Sequence, residues 1–274
     1  MQHKLGLIRQ AEDKRDTLYG LHFVYPQPIP RSVNLIPKCP PIFNQGELGS
    51  CTANAGVFAR MMLEDSSPTL LSRMYLYYKE RELEGAVSTD GGAEMRDVCK
   101  ALNKYGVCTE EKWPYDVNAF TKRPSMCANL EALNYKISAY RCLSSDADMD
   151  DSKQINQYIA LTHKPVLAGI NVYESFESDE TARGKCAPYP DVSKEQLLGG
   201  HAIAFVGYDL DYDVYQNSSE RAKEVLKSLG LENAKGAKLL RNSWGEDWGM
   251  KGYIWFPDLF ITNKLSWDFW TLEK

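Results

Sequence analysis

The sequence lacks three features that would have placed it in a particular class. No apolar run approaches the ~20 residues of a membrane-spanning helix. Basic residues are scattered and not in excess, since 32 lysines and arginines against 37 aspartates and glutamates give a net charge of −5. No cysteines and histidines have the close spacing of a zinc site. These absences argue against membrane and nucleic-acid partners and against a metal.

A hydrophobic leader is also lacking, because residues 1–8 contain no apolar core long enough for a secretory signal. We therefore expect a cytoplasmic protein, or a secreted one from which a leader has been removed. In the cytoplasm the thiols stay reduced. The seven cysteines predicted to be free are Cys39, Cys51, Cys99, Cys108, Cys127, Cys142 and Cys186.

Histidine is scarce, with four in 274 residues, which narrows the search for a general base. His3 and His22 lie in the first 30 residues, which do not have the pattern of a core. His163 precedes Lys164-Pro165, at the predicted end of a helix. His201 follows two glycines and opens an apolar run through Tyr208 that is typical of a buried strand. His201 is therefore the favoured catalytic candidate.

What is present is a cysteine placed for nucleophilic chemistry. Gly49-Ser50 predicts a turn into a helix whose apolar positions are Val57, Phe58, Met61 and Met62. With Ser50 as N-cap, Cys51 lies in the first turn, where unpaired N–H groups and the helix dipole favour a thiolate. A small buried cysteine without chemistry is the alternative interpretation.

A candidate for a third catalytic residue, beside Cys51 and His201, is Asn242 in the motif Asn242-Ser243-Trp244-Gly245. A helix-borne cysteine, then a histidine at a strand start, then an asparagine can act as nucleophile, base and orienting group. The matching pieces of sequence are Gln45 with Gly49-Ser50-Cys51, Asp90-Gly91-Gly92, Trp113-Pro114-Tyr115, His201-Ala202 and Asn242-Ser243-Trp244-Gly245. The chain resembles the papain family of cysteine peptidases in these motifs and in their order along the sequence. The spacing from the cysteine to the histidine, 201 − 51 = 150 positions, is also similar to that of the family.

The resemblance implies an α+β fold of two subdomains with the active site in the cleft between them. We expect a mainly helical part over 31–140 that carries the nucleophile. We expect a mainly antiparallel, barrel-like β part over 141–274 that carries His201 and Asn242. It also implies an endopeptidase that needs no cofactor and acts on peptide or protein substrates.

Site roles follow from the same resemblance, residue by residue. Cys51 is the nucleophile, His201 is its imidazolium partner, and Asn242 orients the imidazole. Gln45 donates to the oxyanion together with the Cys51 backbone N–H.

The substrate-binding candidates come from the flanking motifs. In the turn Asp90-Gly91-Gly92, the two glycines permit the close approach of a substrate backbone, which would lie alongside as an added strand. Ordinary turn chemistry is the alternative for that pair. The predicted set is Gly91, Gly92, Ala93, Gly200 and Trp244, with Trp244 also shielding the His201–Asn242 bond from water.

Residues 1–30 are charged and then proline-rich, and family peptidases are made with an inhibitory prosegment that is normally far longer. Either this segment is a short inhibitory arm that covers the cleft, or it is a strap on the back of the fold. The chain departs from papain and the cathepsins at Thr52, where they have an aromatic residue, and at Leu48, where secreted relatives have a cysteine. We therefore expect a divergent, microbial member. An acyl-transferring thiol enzyme and a catalytically silent binding protein remain as alternatives.

Overall fold

A computed structural model describes residues 3–11, 13, 16, 28–64, 69–143 and 150–274. Of the predicted arm, residues 1, 2, 12, 14, 15 and 17–27 lie outside the described residues. The fold is α+β, as the resemblance implied, with most of the long helices before residue 140 and most of the sheet after it. No helix in the described part of the chain is long and apolar enough to cross a membrane.

In the described residues up to 143, the α-helices are α1 (Cys51–Met61), α2 (Arg73–Glu84), α3 (Met95–Lys104) and α4 (Met126–Ala132). Helix α1 is buried on all sides and packs against both α2 and the sheet, so it is the central element of the core. The Ser72 side chain caps α2 by accepting from the Tyr75 N–H, and Gly85 ends it in the left-handed conformation. The sequence predicts both ends, because serine is a typical N-cap and glycine a typical helix stop, and the structure confirms them.

The described residues form a sheet of nine strands. Its strands are β1 (Leu7–Ile8), β2 (Ser32–Asn34), β3 (Ala93–Glu94), β4 (Ala139–Cys142), β5 (Val166–Tyr173), β6 (Leu197–Asp213), β7 (Lys235–Arg241), β8 (Tyr253–Pro257) and β9 (Ser266–Glu273). The main path runs β3-β1-β6-β5-β9-β4, with β2 and β7 also pairing with β6, and β8 with β7. Strand β6 is therefore the axis of the sheet, and His201 lies near its start.

Among the described residues, five further helices connect the strands: α5 (Asp151–Thr162), α6 (Asp179–Ala182), α7 (Val214–Asn217), α8 (Glu220–Ser228) and α9 (Leu259–Thr262). The apolar spacing of Ile155, Tyr158 and Ile159 predicts a helix over 152–162, and the structure confirms it as α5. The segment between β6 and β7 contains α7 and α8. Strand β6 is longer than the predicted 201–208 segment because its hairpin with β7 continues to the pair Asp213 and Lys235.

All seven cysteines lie among the described residues, and none of them is in a disulfide. Six of them are at least partly covered by the fold, and Cys127 on α4 is exposed. Apart from Cys51, the buried ones have the surroundings of small apolar residues, which agrees with the expectation of reduced thiols.

Candidate active site

Cys51 is the first residue of α1, beside the groove between the helices and the sheet. We call the groove the space between Ala93 of the helical part and Gly200 of β6. Ser50 precedes it at the N-cap position, but its side chain makes no capping bond. The Ser50 hydroxyl instead bonds the Tyr115 hydroxyl at 2.6 Å and accepts from Asn54 Nδ2 at 3.1 Å. The predicted N-cap position is thus occupied as expected, while the side chain is used to tie the helix start to the loop that carries Tyr115.

His201 lies on β6 and Asn242 directly follows β7, and the antiparallel pairing of these strands sets Ala204 opposite Arg241. His201 Nε2 and Asn242 Oδ1 are 2.7 Å apart, and both side chains are buried. The same Oδ1 accepts from the Ser243 N–H at 2.8 Å, so it is an acceptor and the ring atom facing it must carry the proton. Neutral His201 therefore has its free lone pair on Nδ1.

The indole of Trp244 covers this pair. Its ring lies 4.7 Å from the His201 ring, stacked at an interplanar angle of 29°. Trp244 is held in turn by edge contacts with Phe176 and Trp248. An apolar cover of this kind excludes water from the histidine–asparagine bond and thereby strengthens it.

The Cys51 sulfur and the His201 imidazole are not hydrogen-bonded in this structure. The backbone beside the sulfur belongs to Ala202, the neighbour of His201, and to Gly6 of the N-terminal segment. Among the described residues, His201 Nδ1 has no hydrogen-bond partner, although it is buried. An unpartnered buried lone pair is unfavourable unless another group approaches it.

Burial determines the protonation of both groups here. It raises the pKa of the Cys51 thiol to about 11, with backbone hydrogen bonds from Ala202 and Gly6 opposing the rise. Burial lowers the pKa of His201 to about 4, with the Asn242 bond opposing the fall. Both groups are therefore neutral at pH 7. Burial therefore opposes the thiolate that the helix dipole favours.

Gln45 is fully buried beside Cys51 and its amide is fixed at both ends. The Ser243 hydroxyl donates to Oε1 at 2.7 Å, which leaves Nε2 as the donor end. Nε2 donates to the Leu48 carbonyl at 2.8 Å and to the Lys4 carbonyl at 3.0 Å. The peptide carbonyl of Lys4 thus already lies at the predicted oxyanion donor.

That carbonyl belongs to the N-terminal segment, which runs along the groove as β1. Leu7 pairs with Ala93 in parallel and with Gly200 in antiparallel register, so β1 joins the helical part to the sheet. The Ala93 N–H donates to the Gly6 carbonyl at 2.9 Å. Gly6 has no room for a side chain, because a Cβ there would collide with the carbonyl of Gly49. The groove therefore already holds an extended peptide.

Two side chains anchor this segment near the active site. The His3 ring stacks on Trp244 at 4.0 Å with an interplanar angle of 3°, and His3 Nδ1 lies 3.1 Å from Glu177 Oε2. Lys4 Nζ lies 2.5 Å from Asp90 Oδ2. The segment thus covers both sides of the groove.

Four of the five predicted substrate-binding residues contact this segment. Gly92, Ala93 and Gly200 lie against its backbone, and Trp244 lies against His3. Gly91 does not: a Cβ there would meet only the Thr89 side chain, in the exposed part of the turn. Its place in the predicted set came from its pairing with Gly92 in the motif, whereas the backbone approach is made at Gly92.

Sequence reasoning missed several residues that shape the site. Ser243, which orients Gln45, was visible only as part of the asparagine motif. Asp90 and Glu177, which hold the N-terminal segment, carried no signal in the sequence beyond the turn containing Asp90. Among the described residues, no group of three or more histidine, cysteine or acidic side chains is arranged to hold a metal ion.

Comparison with known proteins agrees with this geometry. The model of the papain family cysteine proteases matches residues 29–259. The chain is 32% identical to an uncharacterized peptidase C1-like protein of Acanthamoeba polyphaga mimivirus, over 100% of this chain and 88% of that protein.

Among solved structures, the chain is similar to xylellain, a cysteine protease from Xylella fastidiosa. The TM-score is 0.77 at 31% identity, covering 100% of this chain and 98% of xylellain. Digestive procathepsin L2 of Tenebrio molitor larval midgut has the same fold, with a TM-score of 0.70 at 18% identity over 99% of this chain and 78% of that one. The prediction of a divergent branch agrees with these modest identities. The chain therefore belongs to the papain family of cysteine proteases.

Proposed function

We propose that this cysteine peptidase is an endopeptidase in which Cys51, His201 and Asn242 carry the chemistry and Gln45 binds the oxyanion. The supporting geometry is the buried His201–Asn242 bond and the Nδ1 lone pair that faces no partner among the described residues. The thiol proton passes to Nδ1, and the thiolate attacks the substrate carbonyl carbon. The C–N bond then breaks as the imidazolium gives its proton to the leaving amine. Water, deprotonated by His201, hydrolyses the thioester.

The observation that carries this proposal is the peptide carbonyl at Gln45 Nε2. Lys4 presents its carbonyl to that donor at 3.0 Å while β1 lies between Ala93 and Gly200. The groove thus accepts an extended peptide and directs one of its carbonyls to the donor beside Cys51. Loss of such a donor typically destabilises a transition state by ~2.7–4 kcal/mol.

We further propose that residues 1–30 act as a self-inhibitory arm. The part of the arm that is described occupies the groove, and the Gly6 backbone lies near enough to the Cys51 thiol to act on its pKa. The arm also keeps the thiol and the imidazole dry and neutral. Its departure admits water, which lowers the pKa of the thiol, raises that of the imidazole and favours the ion pair. A procathepsin is among the solved structures with the same fold.

A glycine substitution in the full chain tests both proposals. Gly6→Ala would place a Cβ against the Gly49 carbonyl, so β1 cannot dock. We expect cleavage of an internally quenched peptide to rise at least tenfold over the unaltered chain. Ile8→Ala is the matched control, because Ile8 lies on the same strand but is 44% exposed.

Two further results separate the alternatives. Cys51→Ala in the Gly6→Ala chain should abolish cleavage, and mass analysis with an added amine distinguishes hydrolysis from acyl transfer. Equal activity of the unaltered and Gly6→Ala chains would contradict inhibition by the arm. Absence of cleavage in both, with intact folding by circular dichroism, would contradict the peptidase mechanism.

A further inference from the structure

Tyr115 belongs to the motif Trp113-Pro114-Tyr115, to which the proposed mechanism gives no role. Its hydroxyl donates to the Gln45 carbonyl at 2.8 Å, and it also lies 2.6 Å from Ser50 Oγ. Gln45 carries the proposed side-chain donor to the oxyanion. Ser50 directly precedes Cys51, whose backbone N–H is the second proposed donor. One hydroxyl group thus joins the two segments of the chain that carry the oxyanion donors.

The direction of these hydrogen bonds is fixed by the groups at the two ends. The Gln45 carbonyl can only accept, so the hydrogen of the Tyr115 hydroxyl points to it. The Ser50 hydroxyl must therefore donate to the Tyr115 oxygen. At the other end Asn54 Nδ2 can only donate, and it bonds Ser50 Oγ at 3.1 Å and the Ser50 carbonyl at 2.8 Å. A chain of hydrogen bonds therefore runs from α1 through Ser50 and Tyr115 to the backbone of Gln45.

Arg73 on α2 holds both Tyr115 and Asn54 in place. Its guanidinium carbon lies 4.0 Å from the centroid of the Tyr115 ring, and its Nη1 donates to Asn54 Oδ1 at 3.4 Å. The contact at Oδ1 leaves Nδ2 of the same amide to face Ser50. Glu110 Oε1 accepts from Arg73 Nη2 at 3.2 Å and from the Tyr115 N–H at 3.0 Å. The backbone, the ring and the hydroxyl of Tyr115 are thus all fixed.

We propose that Tyr115 is a positioning residue that sets the separation of the two oxyanion donors. This inference rests on the proposed function and deepens it. Ser243 orients the side chain of Gln45, whereas Tyr115 holds the Gln45 backbone to the start of α1, where Cys51 lies. Both donors are then in place before negative charge develops on the substrate oxygen, so no reorganisation is needed in the transition state.

The test uses the full chain with Gly6→Ala, so that the groove is open. In that chain Tyr115→Phe removes the hydroxyl and keeps the aromatic ring that lies over Arg73. We expect kcat for an internally quenched peptide to fall by about tenfold, because a small displacement of a donor affects mainly the transition state. KM should change by less than about twofold.

Tyr75→Phe in the same chain is the matched control. Tyr75 is also a buried tyrosine of the helical part, and its hydroxyl donates to Asn129 Oδ1 on α4 at 3.0 Å. Its loss removes a comparable hydrogen bond, so the folded state is perturbed to a similar degree. We expect kcat to stay within about twofold of the Gly6→Ala chain. A fall equal to that of Tyr115→Phe would overturn the proposal.

A double-substitution cycle separates the positioning of Gln45 from a general effect on the fold. With Gln45→Ala the side-chain donor is absent, so Tyr115 has no donor left to position there. In that background Tyr115→Phe should lower kcat by less than about twofold. An equal factor in the two backgrounds, or no loss of kcat in either, overturns the proposal.

Alkylation shows whether Tyr115 acts on the thiol instead. Iodoacetamide alkylates Cys51 by displacement of iodide at a methylene carbon, so no oxyanion forms. Mass spectrometry of the peptide that contains Cys51 gives the rate. We expect this rate to stay within about twofold in the Tyr115→Phe chain, because the nucleophile is unchanged. A fall in alkylation as large as the fall in kcat overturns the proposal.

Acylation by a p-nitrophenyl ester separates this inference from the proposed function. Attack of Cys51 on the ester forms an oxyanion, and the nitrophenol released in a single turnover gives the rate without hydrolysis of the thioester. Acylation without cleavage of any peptide would contradict the proposed hydrolysis, and the ratio of acylation rates with and without Tyr115→Phe would still decide the role of Tyr115. A chain that reacts with neither ester nor peptide contradicts the proposed function and overturns this inference with it.

Discussion

At the scale of single residues, the orientation of one amide decides whether Gln45 can act as the proposed oxyanion donor. Gln45 can present Nε2 to the groove because the Ser243 hydroxyl occupies Oε1 at 2.7 Å. In the Gly6→Ala chain we expect Gln45→Ala to lower kcat by ~10²–10³-fold with little change in KM, because this donor acts on the transition state. Steady-state kinetics with a quenched peptide measure both. A large rise in KM with constant kcat would contradict this role.

Thr52, the residue that departs from the papain pattern, is explained by a single contact. Its hydroxyl donates to Glu80 Oε1 at 2.8 Å, and Glu80 on α2 is completely buried. Burial holds the pKa of Glu80 well above its usual range and so favours the protonated carboxyl. The polar side chain after the nucleophile thus has a polar partner in the core where an aromatic ring would find none.

This contact predicts a difference between two substitutions. Glu80→Gln imitates the neutral acid, so the free energy of unfolding should change by less than about 1 kcal/mol. Glu80→Ala leaves the Thr52 hydroxyl unpaired and opens a cavity, so it should destabilise by about 2–4 kcal/mol. Urea unfolding of both variants measures the difference. Equal losses would show that Glu80 is ionised in the folded state.

At the scale of elements, the contribution of the α2–α3 pair to the free energy of unfolding depends on pH. Burial, supported by the nearby acids Asp97 and Glu94, raises the pKa of Glu84 at the end of α2 to about 7. The folded state therefore binds this proton more tightly than the unfolded chain, whose glutamates titrate near ~4.3. The resulting stabilisation is complete below the unfolded pKa and is lost as the pH rises through about 7.

We expect Glu84→Gln to reduce the loss of unfolding free energy between pH 5 and pH 8 by roughly 1 kcal/mol, after allowance for the partial exposure of the carboxyl. Urea unfolding at the two pH values measures this change. The exposed Glu111→Gln variant serves as the control and should keep the original dependence. If the Glu84→Gln variant keeps the pH dependence of the unaltered chain, other groups cause that dependence. Asp268 is one candidate, because burial also raises its pKa to about 7.

At the scale of the whole molecule, a buried ion pair joins three elements of the β part. Lys238 on β7 is completely buried, and its Nζ lies 2.7 Å from Asp258 Oδ1 and 2.7 Å from Ser152 Oγ on α5. Asp258, between β8 and α9, also accepts from Ser152 at 2.8 Å. This network fixes α5 against the sheet.

Removal of one partner leaves a buried charge without compensation. We expect Asp258→Ala to lower the free energy of unfolding by about 3–5 kcal/mol, and the double change with Lys238→Met to recover much of that loss. Glu220→Ala, which breaks an exposed pair with Lys223, is the comparison and should have little effect. Denaturant unfolding of the unaltered chain, the Asp258→Ala variant, the double variant and the Glu220→Ala variant measures these differences. No recovery in the double variant would assign the loss to packing.

Local patterns predicted much of the fold because they are local properties of the chain. The cap at Ser72, the stop at Gly85 and the period of α3 depend on neighbours along the sequence. Strand β9 was not predicted, since the segment over 266–273 has no clear alternation and acquires its place by pairing with β4 and β5. The long β6 was only half recognised for the same reason: its second half is a hairpin extension paired with β7.

The sequence by itself determined the chemical types of the site and their order along the chain, because motif residues flank turns and strand starts that local propensity specifies. Tertiary structure decided which state those residues occupy. Only the folded groove brings the Lys4 carbonyl to Gln45, Lys4 itself to Asp90, and His3 onto Trp244. Only there does the burial of Cys51 and His201 raise the pKa of one and lower that of the other. Desolvation and contacts between residues far apart in the chain arise from packing, and no local pattern contains them.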